Sequence, residues 1–206
     1  MRYTGPRNRL ARREGIDLAL KTAGSKAQAQ LLKKMNILPG QHGIKGRRKV
    51  SEHGIQLREK QKLRYFYGVS AKQLKNYFIQ STKKRGNTAL YLTYFLENRL
   101  DNIVFRLGFA PTRAAARQLV SHNHIKVNDK LVNVASYQVK IGDTVSLANA
   151  ESGKIPYIEK MLDNKEYALP TWVERQGSVG KVTANPVTDD LEKMINLRLV
   201  VEFFSR

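Results

Sequence analysis

Two arginines four positions apart, Arg113 and Arg117, lie in the stretch RLDNIVFRLGFAPTRAAARQLVSHNHIKVN, residues 99–128, whose pattern is that of two short helices turning into a strand. On a helix that spacing sets both on one face. Facing outward, they would present two planar guanidinium forks, a bidentate donor geometry for phosphate oxygens that a lysine ammonium cannot reproduce. The plainer reading of such a pair is a solvated helix face, and the flanking sequence favours RNA. Downstream, His122 and His124 flank Asn123 at the expected helix-to-strand corner, as phosphate or 2′-OH ligands or simply as turn residues, and Lys126 and Lys130 follow on the strand and its turn.

Other cations gather upstream. Gly40, Gly43 and Gly46 alternate with His42 and Lys45 and run into Arg47, Arg48 and Lys49, a composition that lets backbone approach a phosphate chain while cations neutralise it. Arg58, Lys60, Lys62 and Arg64 form a second cluster on an expected helix, where they cannot all share the buried side. Arg2, Arg7, Arg12 and Arg13 complete the candidate RNA-binding set at the N-terminus.

Those side chains need elements to hold them. Leu100, Ile103, Val104 and Leu107 recur at helical spacing, Gly108 ends that helix, and Thr112 after Pro111 is placed to cap the next, which packs through Ala114, Ala115, Leu119 and Val120. The period then changes to two at Ile125 and Val127. Asn128–Asp129 suits a tight hairpin into Leu131, Val132 and Val134, and a turn at Ile141–Asp143 leads to Val145 and Leu147. Ser51 caps a helix to Gly68 with Ile55, Leu63, Phe66 and Tyr67 on its apolar side. Ser70 and Gln73 form a capping box for a second, which buries Leu74, Tyr77 and Phe78. Asn87 caps a third, expected to continue unbroken through Leu107. These aromatics read as core rather than base-stacking platforms. Near the C-terminus, Trp172–Val173 and Lys181–Ala184 read as short strands, and Leu197, Leu199, Val201 and Phe203 alternate as a half-buried strand would.

Charge divides the chain. Of 37 basic and 17 acidic residues, 22 and 4 fall in residues 1–96, against 7 and 4 in 97–148 and 8 and 9 in 149–206. Nearly the whole excess lies in the first half, which must meet a polyanion over a broad surface. Nucleic acid is favoured over a membrane surface, because the sequence carries no long apolar run, signal peptide or lipidation motif. With no cysteine there is neither a disulfide nor a thiolate metal site, and a cytoplasmic location is the plain reading. A Walker lysine motif, a zinc-protease helix motif and a cysteine nucleophile are all missing, so no enzyme class, metal or cofactor is implied.

The segment from Glu97 to Leu147 resembles the small RNA-binding domain named after ribosomal protein S-four, a module also attached to pseudouridine synthases and some tRNA synthetases. With RYTGPR at 2–7, LARREG at 10–15, LPGQHG at 38–43, SEHGIQLREKQKLRYFYGV at 51–69 and LRLVVEFFSR at the C-terminus, the whole chain resembles the bacterial-type ribosomal protein S-four family. Some members of that family hold zinc through N-terminal cysteines. This chain has none, so rRNA or packing must order its N-terminal segment.

The resemblance implies an α+β protein: a basic, mainly helical domain over residues 1–96, the S-four-type domain over 97–152, and C-terminal strands and loops over 153–206. It implies a structural role in the small ribosomal subunit. The partners would be small-subunit rRNA, messenger RNA where it enters the subunit, ribosomal protein S-five through Asp189, Asp190 and Glu192, and ribosomal protein S-three. Lys45, Arg47, Arg48 and Lys49 would lie near the messenger path. Two alternatives compete with it: an RNA-modifying enzyme carrying the same small module, which would need a catalytic domain of its own, and a general nucleic-acid binder.

Overall fold

The computed structural model describes residues 3–46, 49–164, 167–186, 191 and 193–205. Two compact units emerge, one comprising 1–92 with 188–206 and the other 93–187. The C-terminal tail thus belongs with the N-terminal helices, and the expected third segment is divided between the units.

In the first unit, α1 (Arg7–Glu14) and α2 (Lys26–Lys33) are followed by a short 3-10 turn (Gly43–Lys45), α3 (Glu52–Phe66) and α4 (Ala71–Thr82). The expected caps form: Ser51 Oγ accepts from Gly54 N, and Ser70 and Gln73 make a reciprocal capping box. Leu63, Phe66, Tyr67, Leu74, Tyr77 and Phe78 are buried as expected, whereas Ile55 is exposed. The N-terminal segment is ordered by packing. Leu10, Ala11, Leu18 and Leu31 are buried, Asn8 Nδ2 donates to Ala27 O at 2.8 Å, and Gln28 Nε2 donates to Asp17 Oδ2 at 2.9 Å.

The C-terminal residues expected as a strand are instead a helix, Leu197–Ser205, here α10. The run LRLVVEFF satisfies both periods, since Leu197, Val200 and Phe204 also recur at helical spacing. Tertiary context decides between them. Leu197 and Val200 are buried, Asn196 Oδ1 accepts from Leu199 N, and Glu59 on α3 accepts from the Asn196 backbone N at 3.0 Å. Gln56 donates to Glu202, and Phe204 stacks on Phe78 with centroids 5.0 Å apart, which seats α10 against α3 and α4.

The long third helix is also broken. α5 (Thr88–Glu97) begins as expected with Asn87 Oδ1 accepting from Ala89 N, but the helix stops and restarts as α6 (Leu100–Arg106). At the break Arg99 is extended, because residues 98–101 exchange backbone hydrogen bonds with 135–139: Leu100 N to Tyr137 O, Asp101 N to Ala135 O and Val139 N to Asn98 O.

The second unit continues with α7 (Arg113–Ser121), capped by Thr112 Oγ1. Then come β1 (Ile125–Val127), β2 (Lys130–Leu131), β3 (Thr144–Leu147), two short helices α8 (Ala150–Gly153) and α9 (Pro156–Asp163), β4 (Val173–Gln176) and β5 (Val179–Val182). The strands form one antiparallel sheet in the order β2-β1-β3-β5-β4. Asn128 and Asp129, at φ 48° and 64°, make the hairpin turn that their residue types favour. A single apolar core unites Leu100, Ile103, Val104 and Leu107 of α6 with Leu119 and Val120 of α7 and with Ile125, Val145, Trp172 and Val182. Ala116, rather than Ala114, fills the α7 side of it. Any side chain at Gly180 would strike the Leu107 methyl groups, so β5 lies close against α6.

Candidate nucleic-acid interface

In the first unit the candidate cations separate into those that the fold holds at the surface and those that it uses internally. Arg13, His42, Lys45, Lys49 and Arg58 are exposed. Arg58 Nη1 meets Glu14 Oε1 at 3.3 Å while its side chain stays 46% exposed, and the Glu14 side chain is almost completely buried. Glu14 thus fixes where the guanidinium points. Arg12, by contrast, is turned inward: Nε donates to Lys34 O at 3.2 Å and Ile37 O at 3.0 Å, and Nη2 donates to Leu38 O at 3.2 Å. Arg7 is half-buried and donates to Leu20 O. The α3 cluster divides too. Lys62 pairs with Glu59 at 2.6 Å, Lys60 Nζ lies 4.1 Å from the Phe203 ring centroid, and Arg64 lies over Tyr65. Partial burial, and then the nearby Arg64 charge, lowers the Lys60 pKa from its ordinary value. Arg2, Arg47 and Arg48, and the acidic residues Asp189, Asp190 and Glu192, lie outside the described residues.

Gly43 makes a close backbone approach, to protein rather than RNA. It is buried, and a Cβ there would collide with the Leu38 carbonyl oxygen, so the 38–46 loop folds tightly on itself. Arg12 and Gly43 together fix the loop that presents His42 and Lys45.

The second unit corrects the outward-facing reading of Arg113. This residue is buried at 8% exposure, its Nε donates to Asn102 Oδ1 at 2.8 Å, and its guanidinium lies 4.5 Å from the Phe105 ring centroid. Asn102 in turn donates from Nδ2 to Glu97, and Arg106 clasps the Glu97 carboxylate with bonds of 3.0 and 2.6 Å. Beside this chain, fully buried Arg99 holds Asp101 through Nε at 3.0 Å and Nη2 at 2.6 Å. Arg117 approaches the same Asp101 Oδ2 at 3.5 Å and remains 32% exposed. The two expected forks are therefore unequal: Arg113 is internal scaffold, and Arg117 is the one with a solvent edge.

At the corner after α7, Asn123 takes φ 63°, His122 is exposed and His124 is half-buried, with Nδ1 3.0 Å from Ser152 Oγ. The two imidazoles lie nearly parallel with centroids 6.5 Å apart. Lys126 is half-buried on β1 and Lys130 is exposed at the β2 edge of the sheet. Arg175 on β4 donates to the Leu107 carbonyl at 3.0 Å, satisfying the end of α6. Tyr167, whose hydroxyl donates to Phe105 O, has its pKa raised by burial, although Arg106, Arg113 and Arg175 pull the other way.

Residues 2–97 match the family described as the Ribosomal protein S4/S9 N-terminal domain, and residues 98–145 match the S4 domain. Small ribosomal subunit protein uS4 of Chromobacterium violaceum is 44% identical over 207 residues, spanning 100% of this chain and 99% of that protein. The uS4 proteins of Natranaerobius thermophilus, over 208 residues, and of Stenotrophomonas maltophilia, over 209, are also 44% identical with the same coverage. The chain belongs to the small ribosomal subunit protein uS4 family.

Sequence reasoning passed over two groups of residues. The first is the buried ionic network of this uS4-family chain. Glu97, Asp101 and Asn102 flank or enter an otherwise apolar helix, and buried polar groups require partners, so three such residues beside Arg99, Arg106 and Arg113 were a signal for internal pairing. The second is a further set of exposed cations in the first unit, Arg9, Lys72, Lys75 and the run Lys83, Lys84 and Arg85, whose signal was the local charge excess itself. Among the described residues no group of histidine and acidic side chains could hold a metal ion, and no helix is long and apolar enough to cross a membrane.

Proposed function

We propose that this chain is a non-catalytic rRNA-binding protein that joins the small ribosomal subunit early, orders a junction of RNA helices and later helps line the path of incoming messenger RNA. Membership of the uS4 family makes it a small-subunit ribosomal protein with an RNA-binding domain and rRNA as its partner. The observation that carries the finer reading is the placement of charge. Exposed cations of one folded unit lie on α1, on the loop around Lys45 and Lys49, and on α3 and α4, with few acidic residues between them. Such a surface reads phosphate position and RNA shape rather than base sequence. Arg117, His122, His124, Lys126 and Lys130 supply a smaller contact area from the second unit.

On this reading the protein works in the cytoplasm within the subunit. Lys45, Arg47, Arg48 and Lys49 lie beside the messenger path. Asp189, Asp190 and Glu192 contact ribosomal protein S-five in a way that influences decoding accuracy, and ribosomal protein S-three is a second neighbour. Nuclease footprinting of the purified chain on naked small-subunit rRNA tests the central part. Localised protection is expected; its absence would mean late recruitment through protein neighbours. Replacing Lys45, Arg47, Arg48 and Lys49 jointly with alanine should impair unwinding of structured messages more than subunit assembly. Unchanged unwinding by subunits carrying that variant would refute the messenger role.

A further inference from the structure

In the second unit the first turn of α6 engages both arginines of α7. Asn102 Oδ1 accepts from Arg113 Nε at 2.8 Å, and one residue earlier Asp101 Oδ2 lies 3.5 Å from Arg117 Nη1. The two contacts end differently. Arg113 is buried, whereas Arg117 keeps about a third of its side chain in solvent. Asp101 is itself buried and is already held by another guanidinium, because fully buried Arg99 donates from Nε to Oδ1 at 3.0 Å and from Nη2 to Oδ2 at 2.6 Å.

Sharing one carboxylate between two arginines has an electrostatic consequence. A carboxylate paired with Arg117 alone would cancel its charge. Here the bidentate bond to Arg99 neutralises Asp101 first, so the trio keeps one positive charge, and Arg117 carries it to the solvent edge. Arg99 occupies one acceptor site on each Asp101 oxygen, and a carboxylate has further sites to offer Arg117. The carboxylate is also fixed. Asp101 N donates to Ala135 O, Leu100 N donates to Tyr137 O, and the Arg113 bond to Asn102 sets α7 against α6. Arg117 therefore leans on a stationary group through one nitrogen of its fork.

We propose that Asp101 is a positioning residue for RNA binding: neutralised by Arg99, it holds the Arg117 guanidinium in one orientation for its contact with rRNA. The inference rests on the rRNA-binding reading above and gives a buried carboxylate, which touches no RNA, a part in it. Arginine loses much rotamer freedom when a ligand immobilises it, and a side chain oriented beforehand loses less. Orientation and charge predict opposite signs here. A carboxylate near a bound polyanion repels it, so on charge alone the removal of Asp101 would tighten binding; a positioning role requires that it weaken binding.

The test is a double-mutant cycle in rRNA affinity. Full-length wild type, Asp101→Asn, Arg117→Ala and the double variant are titrated against the footprinted rRNA fragment, each after thermal melting has shown it folded at the assay temperature. Arg117→Ala is expected to weaken binding by about tenfold, as loss of a charge-assisted hydrogen bond does, and to make the log–log salt slope shallower by about 1. Asp101→Asn should weaken wild-type binding by about threefold or more, although it removes a negative charge, and should add less than about twofold once Arg117 is alanine. Unchanged or tighter binding by Asp101→Asn would overturn the proposal. Equal weakening in both backgrounds would overturn it in favour of a purely structural role. Should Asp101→Asn fail to fold, Asp101→Glu takes its place, since it keeps the counter-charge of Arg99 and displaces the carboxylate by one methylene; the same pattern is expected of it, and the same departures would overturn the proposal. An Arg117→Ala chain that binds like wild type would remove the contact that Asp101 is said to orient and leave the rRNA reading standing. Failure of the wild-type chain to bind the fragment would defeat the rRNA reading itself.

Discussion

Arg58 and Arg113 both answer to residues of their own unit, yet one ends at the surface and the other inside. In the first unit a single buried carboxylate, Glu14, anchors Arg58 by one nitrogen and leaves much of the guanidinium in solvent. In the second, Glu97, Asp101 and Asn102 draw Arg99, Arg106 and Arg113 inward until two of the three are buried. The difference lies in the ratio of carboxylates to cations. The first 96 residues hold 4 acidic side chains against 22 basic ones, too few to give each cation an acidic partner; residues 97–148 hold 4 against 7, enough to satisfy much of the local charge. Where carboxylates are plentiful the arginines pair with them inside; where they are scarce Arg9, Arg13, Arg58 and Arg85 stay exposed, and the inward-turned Arg7 and Arg12 donate to backbone carbonyls instead.

The sharpest way to break that contrast is to remove the carboxylate that keeps Arg99 inside. Asp101→Ala leaves a fully buried guanidinium without its counter-charge, and breaking a buried pair from one side costs about 3–5 kcal/mol. Urea denaturation should register a loss of that size, and a loss below about 1 kcal/mol would mean that Arg99 escapes to solvent. Arg113→Ala should come next. It removes a charged hydrogen bond to Asn102 and the contact with Phe105, lowering stability by about 1.5–3 kcal/mol, whereas Arg117→Ala should change stability by less than about 1 kcal/mol and act on rRNA affinity instead. Equal effects of the two on both quantities would erase the distinction. The smallest structural effect belongs to the surface set: exposed Lys72 and Lys75 changed together to glutamine should leave the melting temperature in place and make the log–log salt slope of rRNA binding shallower by about 1.5.

The helical and sheet framework was largely legible from the chain. Ser51, Ser70 with Gln73, Asn87 and Thr112 each cap the helix that they precede, and the stripe Leu100, Ile103, Val104 and Leu107 is fully buried. These features are set by residues within one or two turns of one another. The Asn128–Asp129 hairpin is local in the same way. Where the outcome depended on distant partners, local pattern was insufficient. The C-terminal run fitted two periods, and the α3 groups Gln56 and Glu59, far away in sequence, favour the helix. The continuous helix through Leu107 was a sound local expectation, overridden by backbone pairing with residues 135–139.

The candidate interface was legible in its location rather than in its individual side chains. Charge density marked the first unit as the basic one, because counting needs no geometry. Direction does need it: a four-residue spacing puts Arg113 and Arg117 on one face, but the position of Asn102 and Phe105 determines that the first of them is covered. Arg12 illustrates the same point in the other unit. Flanked by Ala11 and Arg13 it looks like one more free cation, and it becomes a staple because the chain around Lys34–Leu38 brings three carbonyls within its reach.

The central claim is that the fold holds the surplus cations of the first unit against folded rRNA, and the salt dependence of binding to a small-subunit rRNA junction fragment tests it most directly. If roughly 6 to 10 phosphates are neutralised, affinity should fall by about 10³ to 10⁵ between 50 and 200 mM monovalent salt, taking duplex DNA as the guide. An affinity that stays nearly constant across that range would contradict the account.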